Sequence, residues 1–144
     1  MKQTGTGLYI QGYYIPNIRR LTDEVIKILD ISAPVSIFPR KSDYPGYVEK
    51  KDGGYTIYID PAILKKDELT DFVVSLFIHE MWHVRQMEAG RLTSNSAGTV
   101  AVWEGVHFAM TTLPHGKRPW EIEAKEMAVV YDERVKEQMA VSIK

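Results

Sequence analysis

The sequence predicts an α+β domain, and three observations carry that reading. Helical and strand-like patterns follow one another in the order helix, three short strands, buried helix, hairpin, helix. The stretch from Phe72 to Val84 is apolar nearly all round, as a helix buried on several sides must be. The stretch "GYVEKKDGGYTIYIDP" carries the turn chemistry of a β-hairpin between two alternating flanks. At 144 residues, one domain over residues 1–144 is expected, long enough to bury a real core.

The first helix spans Ile15 to Leu29. Pro16 suits its opening turn, and Ile18, Leu21, Val25, Ile28 and Leu29 recur at helical spacing. A short strand, Val35 to Phe38, is fenced by Pro34 and Pro39. In the hairpin that follows, Asp52, Gly53 and Gly54 permit positive φ. On its second strand Tyr55, Ile57 and Ile59 share one face, and Thr56, Tyr58 and Asp60 the other. Pro61 ends that strand. The central helix is expected from about Asp67, as N-cap, to about Ala89, with Gly90 as its stop. "RLTSNSAGT" is polar and small, a loop. "VAVWEGVHF" is a tighter hairpin turning at Glu104-Gly105, and a last helix runs from about Pro119 to about Met139.

Composition narrows the classes of function. The net charge of −1, without a long run of one sign, argues against a general binder of nucleic acid or of anionic membranes. The longest apolar run, Phe72 to Ile78, is too short to span a bilayer. "MKQTGTGLYIQGYY" lacks the apolar stretch of a signal peptide, so a cytoplasmic location is expected. Cysteine is absent, so a metal site would have to be built from histidine and carboxylate.

Such residues occur together in "SLFIHEMWHVRQ", Ser75 to Gln86. His79 and His83, at i and i+4, project about 40° apart on a helix. Their imidazoles can therefore converge on one ion. Glu80 projects about 60° from His83 and about 100° from His79. It stands beside the ion, where it can take a proton from a water that the metal activates. Lone histidines on apolar helices are usually core residues satisfied by a carbonyl. The intervening glutamate and the buried context favour metal here, with Zn2+ the best match to the ligand types.

A catalytic zinc site needs a third protein ligand and an open fourth position. Glu121, Glu123 and Glu126, at the front of the last helix, can supply it. Ala124 and Ala128 are the small residues that would allow this helix close to the central one. Glu121 projects about 20° from Ala128 and about 60° from Ala124, against about 140° and 100° for Glu123. Glu121 is preferred, although Glu123 shares a face with apolar Met127 and Val130. Acids in a first turn are also favoured by the helix dipole alone. Trp82 and Trp103 are expected to serve core packing, and Arg19-Arg20 and Lys65-Lys66 a solvated surface.

With these motifs the chain resembles small zincin metallopeptidases of the gluzincin kind, over roughly Tyr55 to Tyr131. "HEMWH" matches their H-E-x-x-H, and "EIEAK" is similar to their E-x-x-A-[DN], in which the first glutamate binds zinc. That alignment again selects Glu121, with Lys125 standing where the pattern has Asp or Asn supporting the site. No third histidine of the metzincin type follows: Gln86, Met87, Glu88 and Ala89 do. Short chains with a "P-[WY]-E-x-E-A" helix are also similar to metallopeptidases of phages and mobile elements.

The resemblance implies a zincin-like domain with a small antiparallel sheet, a buried HExxH helix and a glutamate-bearing C-terminal helix. It also implies a zinc-dependent peptidase acting on a peptide or protein substrate. His79, His83 and Glu121 would hold the metal and Glu80 would be the general base. His107, His115, Arg118 and Tyr131 are open candidates for stabilising the oxyanion. The strand from Gly54 to Asp60 offers an edge for an extended peptide. The alternative is a protein that keeps the fold and metal as a structural or regulatory component without turnover. A purely structural site needs the histidines but not Glu80, which favours the enzyme.

Overall fold

The computed structural model describes residues 9–10 and 13–143. The opening stretch read for a leader lies largely outside them. Eleven regular elements follow in order. They are β1 (Tyr9–Ile10), α1 (Pro16–Ile28), β2 (Val35–Pro39), β3 (Gly46–Lys51), β4 (Gly54–Ile59) and α2 (Pro61–Lys66). Then come α3 (Asp71–Glu88), β5 (Leu92–Ser94), β6 (Val100–Trp103), β7 (Val106–Ala109) and α4 (Pro119–Ile143). A single 3-10 turn, His115–Lys117, leads into α4. The α+β expectation holds.

The larger sheet has the order β1-β2-β4-β3. It is mixed, which corrects the expected small antiparallel sheet. β3 and β4 form the hairpin, but β2 pairs with the other edge of β4 and runs parallel to it. Two chain reversals lie between β2 and β4, so adjacency makes them parallel. β4 consequently sits inside the sheet with all six residues buried. Gly54 makes this possible: a Cβ there would lie 2.6 Å from the Pro34 carbonyl oxygen. Among the described residues the outer strands are β1 and β3, so the Gly54–Asp60 strand expected to receive a peptide offers no edge.

The smaller sheet, β5-β6-β7, is antiparallel throughout. Its β6–β7 turn falls at Glu104-Gly105 as expected, with φ of 50° and 87°, the geometry of a two-residue hairpin turn. β5 occupies part of the segment expected to be loop; its three residues gain regular structure only by pairing with β6.

The central helix starts three residues later than expected. Thr70 is its N-cap, accepting from the Val73 N–H, and Asp67 instead closes the unanticipated α2 in a left-handed conformation, φ 49°. Asp67 still caps a helix, but a different one. Its carboxylate accepts the Asn17 and Ile18 backbone N–H groups at 3.1 and 2.8 Å, at the start of α1, whose own N-cap has no side-chain bond. Three contacts thus tie α1 and the turn after it to elements 50 or so residues away: Asp67, Arg85 on the Leu29 carbonyl, and Glu88 on the Ser32 and Ala33 N–H groups.

The main core lies between the larger sheet and α1, α3 and α4, and contains Phe77, Ile78 and Met81 of α3 with Ile57 and Ile59 of β4. α3 packs against α1, α4 and β3, which accounts for its lack of a polar face. Ala124 and Ala128 are buried on the face of α4 that meets this core, as their size suggested. Trp103 and Trp120 form a second small cluster with Ala101. Among the described residues no helix is long and apolar enough to cross a membrane.

Candidate metal centre

α3 delivers His79, Glu80 and His83 from slightly more than one turn, and α4, packed against it, delivers Glu121. The two Nε2 atoms converge on a single oxygen: His79 Nε2 lies 2.9 Å and His83 Nε2 3.1 Å from Glu121 Oε1. One ligand atom from each of the three residues lies within 4.8 Å of the others, so the group can hold a metal ion. The rings stand nearly perpendicular, with centroids 4.9 Å apart.

The electrostatics are those of a carboxylate held between imidazoles. Burial pushes the Glu121 carboxyl up, but hydrogen bonds from His79 and His83 more than offset this and hold it far below the usual carboxylate range. Burial pushes His83 down, yet the hydrogen bond and charge of Glu121 raise it overall. An ionised carboxylate that favours positive charge on the His83 imidazole has the charge pattern a cation needs.

Glu80 is adjacent and differently placed. It is buried, and no described residue hydrogen-bonds its carboxyl. Burial raises its pKa, against the pull of His83 and His79. Gly46 of β3 lies directly over it: a Cβ at Gly46 would sit 3.4 Å from Glu80 Cγ and 3.3 Å from the Tyr58 carbonyl oxygen. The tighter contacts of such a Cβ are on β4, with Ile59 Cδ1 at 3.0 Å and the Tyr58 carbonyl oxygen.

These groups open into a cleft of about 730 Å3. Tyr44 and Val48 of the β3 region, Phe72 and Leu76 of α3, and Leu92 and Met110 give it a largely apolar lining. Its ionisable groups include Asp43, His115, Arg118 and Lys125.

Neither protein-family models nor curated proteins nor solved structures give a match to this chain.

Glu123, the rival third ligand, is committed elsewhere. It accepts from Trp82 Nε1 at 2.7 Å, Gln86 Nε2 at 3.0 Å, and Arg91, whose Nη2 is 2.6 Å from Oε2. Burial raises its pKa, but the Arg91, Gln86 and Trp82 hydrogen bonds bring it down to about 2. Glu126 is exposed and belongs to neither set.

Of the open oxyanion candidates, His115 comes closest: its Nε2 is 3.3 Å from Glu121 Oε2, and its ring stacks on Tyr44 with centroids 4.4 Å apart. Burial lowers the His115 pKa despite Glu121. Arg118 also lines the cleft, but its guanidinium donates to the Leu113 and Met110 carbonyls. His107 is exposed on β7, and Tyr131 lies against Trp82 with centroids 6.0 Å apart. Neither lines the cleft. Lys125 is exposed at the cleft and hydrogen-bonds neither histidine.

Sequence reasoning missed two residues. Gln86 is almost wholly buried, with Oε1 2.8 Å from His83 Nδ1. Its signal was present: it stands three residues after His83, on the same face of an apolar helix. Tyr44 left no such signal, because only the fold brings its loop to His115.

Proposed function

We propose that this protein is a zinc-dependent peptidase. The observation that carries the reading is the convergence of His79, His83 and Glu121 at a cleft, with the buried Glu80 side chain next to them. Two nitrogens and one carboxylate oxygen suit zinc, and three protein ligands fit a catalytic rather than a closed structural site. A zinc ion held there supplies a Lewis acid that polarises a peptide carbonyl and acidifies water.

The chain's own groups complete the chemistry. Glu80 removes a proton from the attacking water as its oxygen bonds to the carbonyl carbon. When the C–N bond breaks, Glu80 gives that proton to the leaving amine. Burial raises the Glu80 carboxyl above its ordinary pKa and so makes its carboxylate a stronger proton acceptor. His115 is the donor best placed to stabilise the oxyanion. The outer edge of β3 can take the substrate backbone as an added strand, and the apolar cleft walls accept its side chains and exclude water.

The test is metal analysis of purified protein, followed by cleavage of a peptide library by wild type and Glu80→Gln. About one zinc per chain, with cleavage lost in Glu80→Gln, supports the peptidase. Zinc without cleavage in either protein overturns it in favour of a binding or regulatory role.

A further inference from the structure

We infer that Arg118 anchors a carboxylate subsite in the cleft and Lys125 adds positive charge to it, so that the peptides taken there carry a carboxylate near the bond to be cut. Both residues line the cleft. Arg118 immediately precedes α4, and its backbone carbonyl accepts the Glu121 and Ile122 N–H groups at 2.9 and 3.0 Å. Lys125 stands one turn beyond Glu121. At four residues' spacing the two project about 40° apart, so α4 presents them on one face. A cation thus comes before and after Glu121 along this wall.

Neither cation is neutralised. Among the described residues neither forms an ion pair with a carboxylate. The Arg118 guanidinium is held by backbone carbonyls: Nε donates to Leu113 at 3.1 Å and Nη2 to Met110 at 3.4 Å. Carbonyls fix its plane without cancelling its charge. Nη1 keeps both of its N–H donors and Nη2 keeps one, so a carboxylate can still dock on that edge. A guanidinium already held in place loses little further freedom on binding. Arg118 is also half-buried in a largely apolar cleft, where a charge pair is less screened than on open surface. Lys125 is exposed and flexible, so it contributes attraction more than a fixed contact. Besides Glu80 and Glu121 the lining has one acid, Asp43 of the β2–β3 loop, and it pairs with neither cation.

An acidic side chain and a free C-terminus offer the same group, and the test separates them. The ligand being a peptide rests on the peptidase reading, so binding is measured apart from turnover. Full-chain Glu80→Gln, supplemented with zinc, is titrated into fluorescent peptide pools of otherwise uncharged residues and followed by anisotropy. Each pool carries one Glu or one Gln, with a free or an amidated C-terminus. A pool bearing the recognised carboxylate is expected to bind about 10–100-fold tighter than the amidated Gln pool. Adding Arg118→Ala should abolish that preference, and Lys125→Glu should weaken it by about two- to fivefold, less at high salt. Circular dichroism checks folding; if Arg118→Ala does not fold, the exposed Lys125→Glu still reads the preference. Equal binding of all pools by Glu80→Gln overturns the subsite. A preference that survives both substitutions places the carboxylate on the metal centre itself and overturns it equally. Wild-type cleavage of all pools alike removes the subsite and leaves the peptidase. Carboxylate-dependent binding without wild-type cleavage keeps the subsite and removes the peptidase, and binding of no pool removes both.

Discussion

Glu121 Oε1 lies 2.9 Å from His79 Nε2, although 42 residues of chain separate the two. Both belong to long helices, α3 and α4, whose packing against each other sets this distance. The small side chains of Ala124 and Ala128, buried on α4, permit that approach. The geometry of this group is therefore a property of helix packing, and on the proposed function substitutions that alter it should be read in metal affinity first.

Glu121 and Glu123 stand two residues apart and should behave oppositely. Glu121→Ala is expected to reduce zinc affinity by more than the roughly 10–100-fold that loss of an outer partner costs. Glu123→Gln is expected to keep zinc near one per chain and to lose about 1–3 kcal/mol of stability, since Arg91 loses its charged partner. Chelator competition and denaturant unfolding on both variants separate the roles.

Glu80→Gln should leave zinc content unchanged, because the Glu80 carboxyl is not among the three converging ligands. Peptide cleavage should fall by about 10²–10⁴-fold, the usual contribution of a positioned general base. Loss of zinc in this variant would count against the division of roles.

Glu123 gives the fold a defined acid sensitivity. Its carboxyl is held at about 2 in the folded protein, against an ordinary value of 4.5. A carboxylate with a depressed folded pKa stabilises fully above the unfolded value and loses that contribution as pH falls through the folded one. The contribution is at most about 3 kcal/mol at neutral pH and should vanish between about pH 4.5 and pH 2. Unfolding free energies should therefore drop less steeply over that range in Glu123→Gln than in wild type.

Gly46→Ala probes the contact between β3 and Glu80, the proposed base. The new Cβ would meet Ile59 Cδ1 at 3.0 Å, the Tyr58 carbonyl oxygen at 3.3 Å and Glu80 Cγ at 3.4 Å. The isoleucine end can rotate, but the carbonyl is backbone and cannot. A stability loss of about 1–3 kcal/mol is expected, with slower cleavage and retained zinc.

Asp67→Ala should destabilise α1, not the central helix. Its carboxylate caps α1 from α2, and losing such a cap costs about 0.5–2 kcal/mol. Hydrogen exchange should show the opening turn of α1 as the region that loosens.

Helix α3, its stop at Gly90, and the Glu104-Gly105 turn were legible in the sequence, because local periodicity and glycine conformations encode them. So was the triplet His79, Glu80 and His83, since i,i+4 spacing is a local property of one helix. The preference for Glu121 over Glu123 was half legible: small residues marked a face of α4, but apolar Met127 and Val130 marked another.

Tertiary structure decided the rest, for reasons that local pattern cannot carry. β4 became an interior strand because β2 came to lie on its far edge, a pairing that no period-2 alternation specifies. Asp67 capped α1 rather than α3, because a carboxylate serves whichever free N–H groups the fold brings to it. Glu123 was spent on Trp82, Gln86 and Arg91, leaving Glu121 alone to meet the two imidazoles. Spacing along one helix placed the histidines, but only the packing of two helices could choose between carboxylates two residues apart.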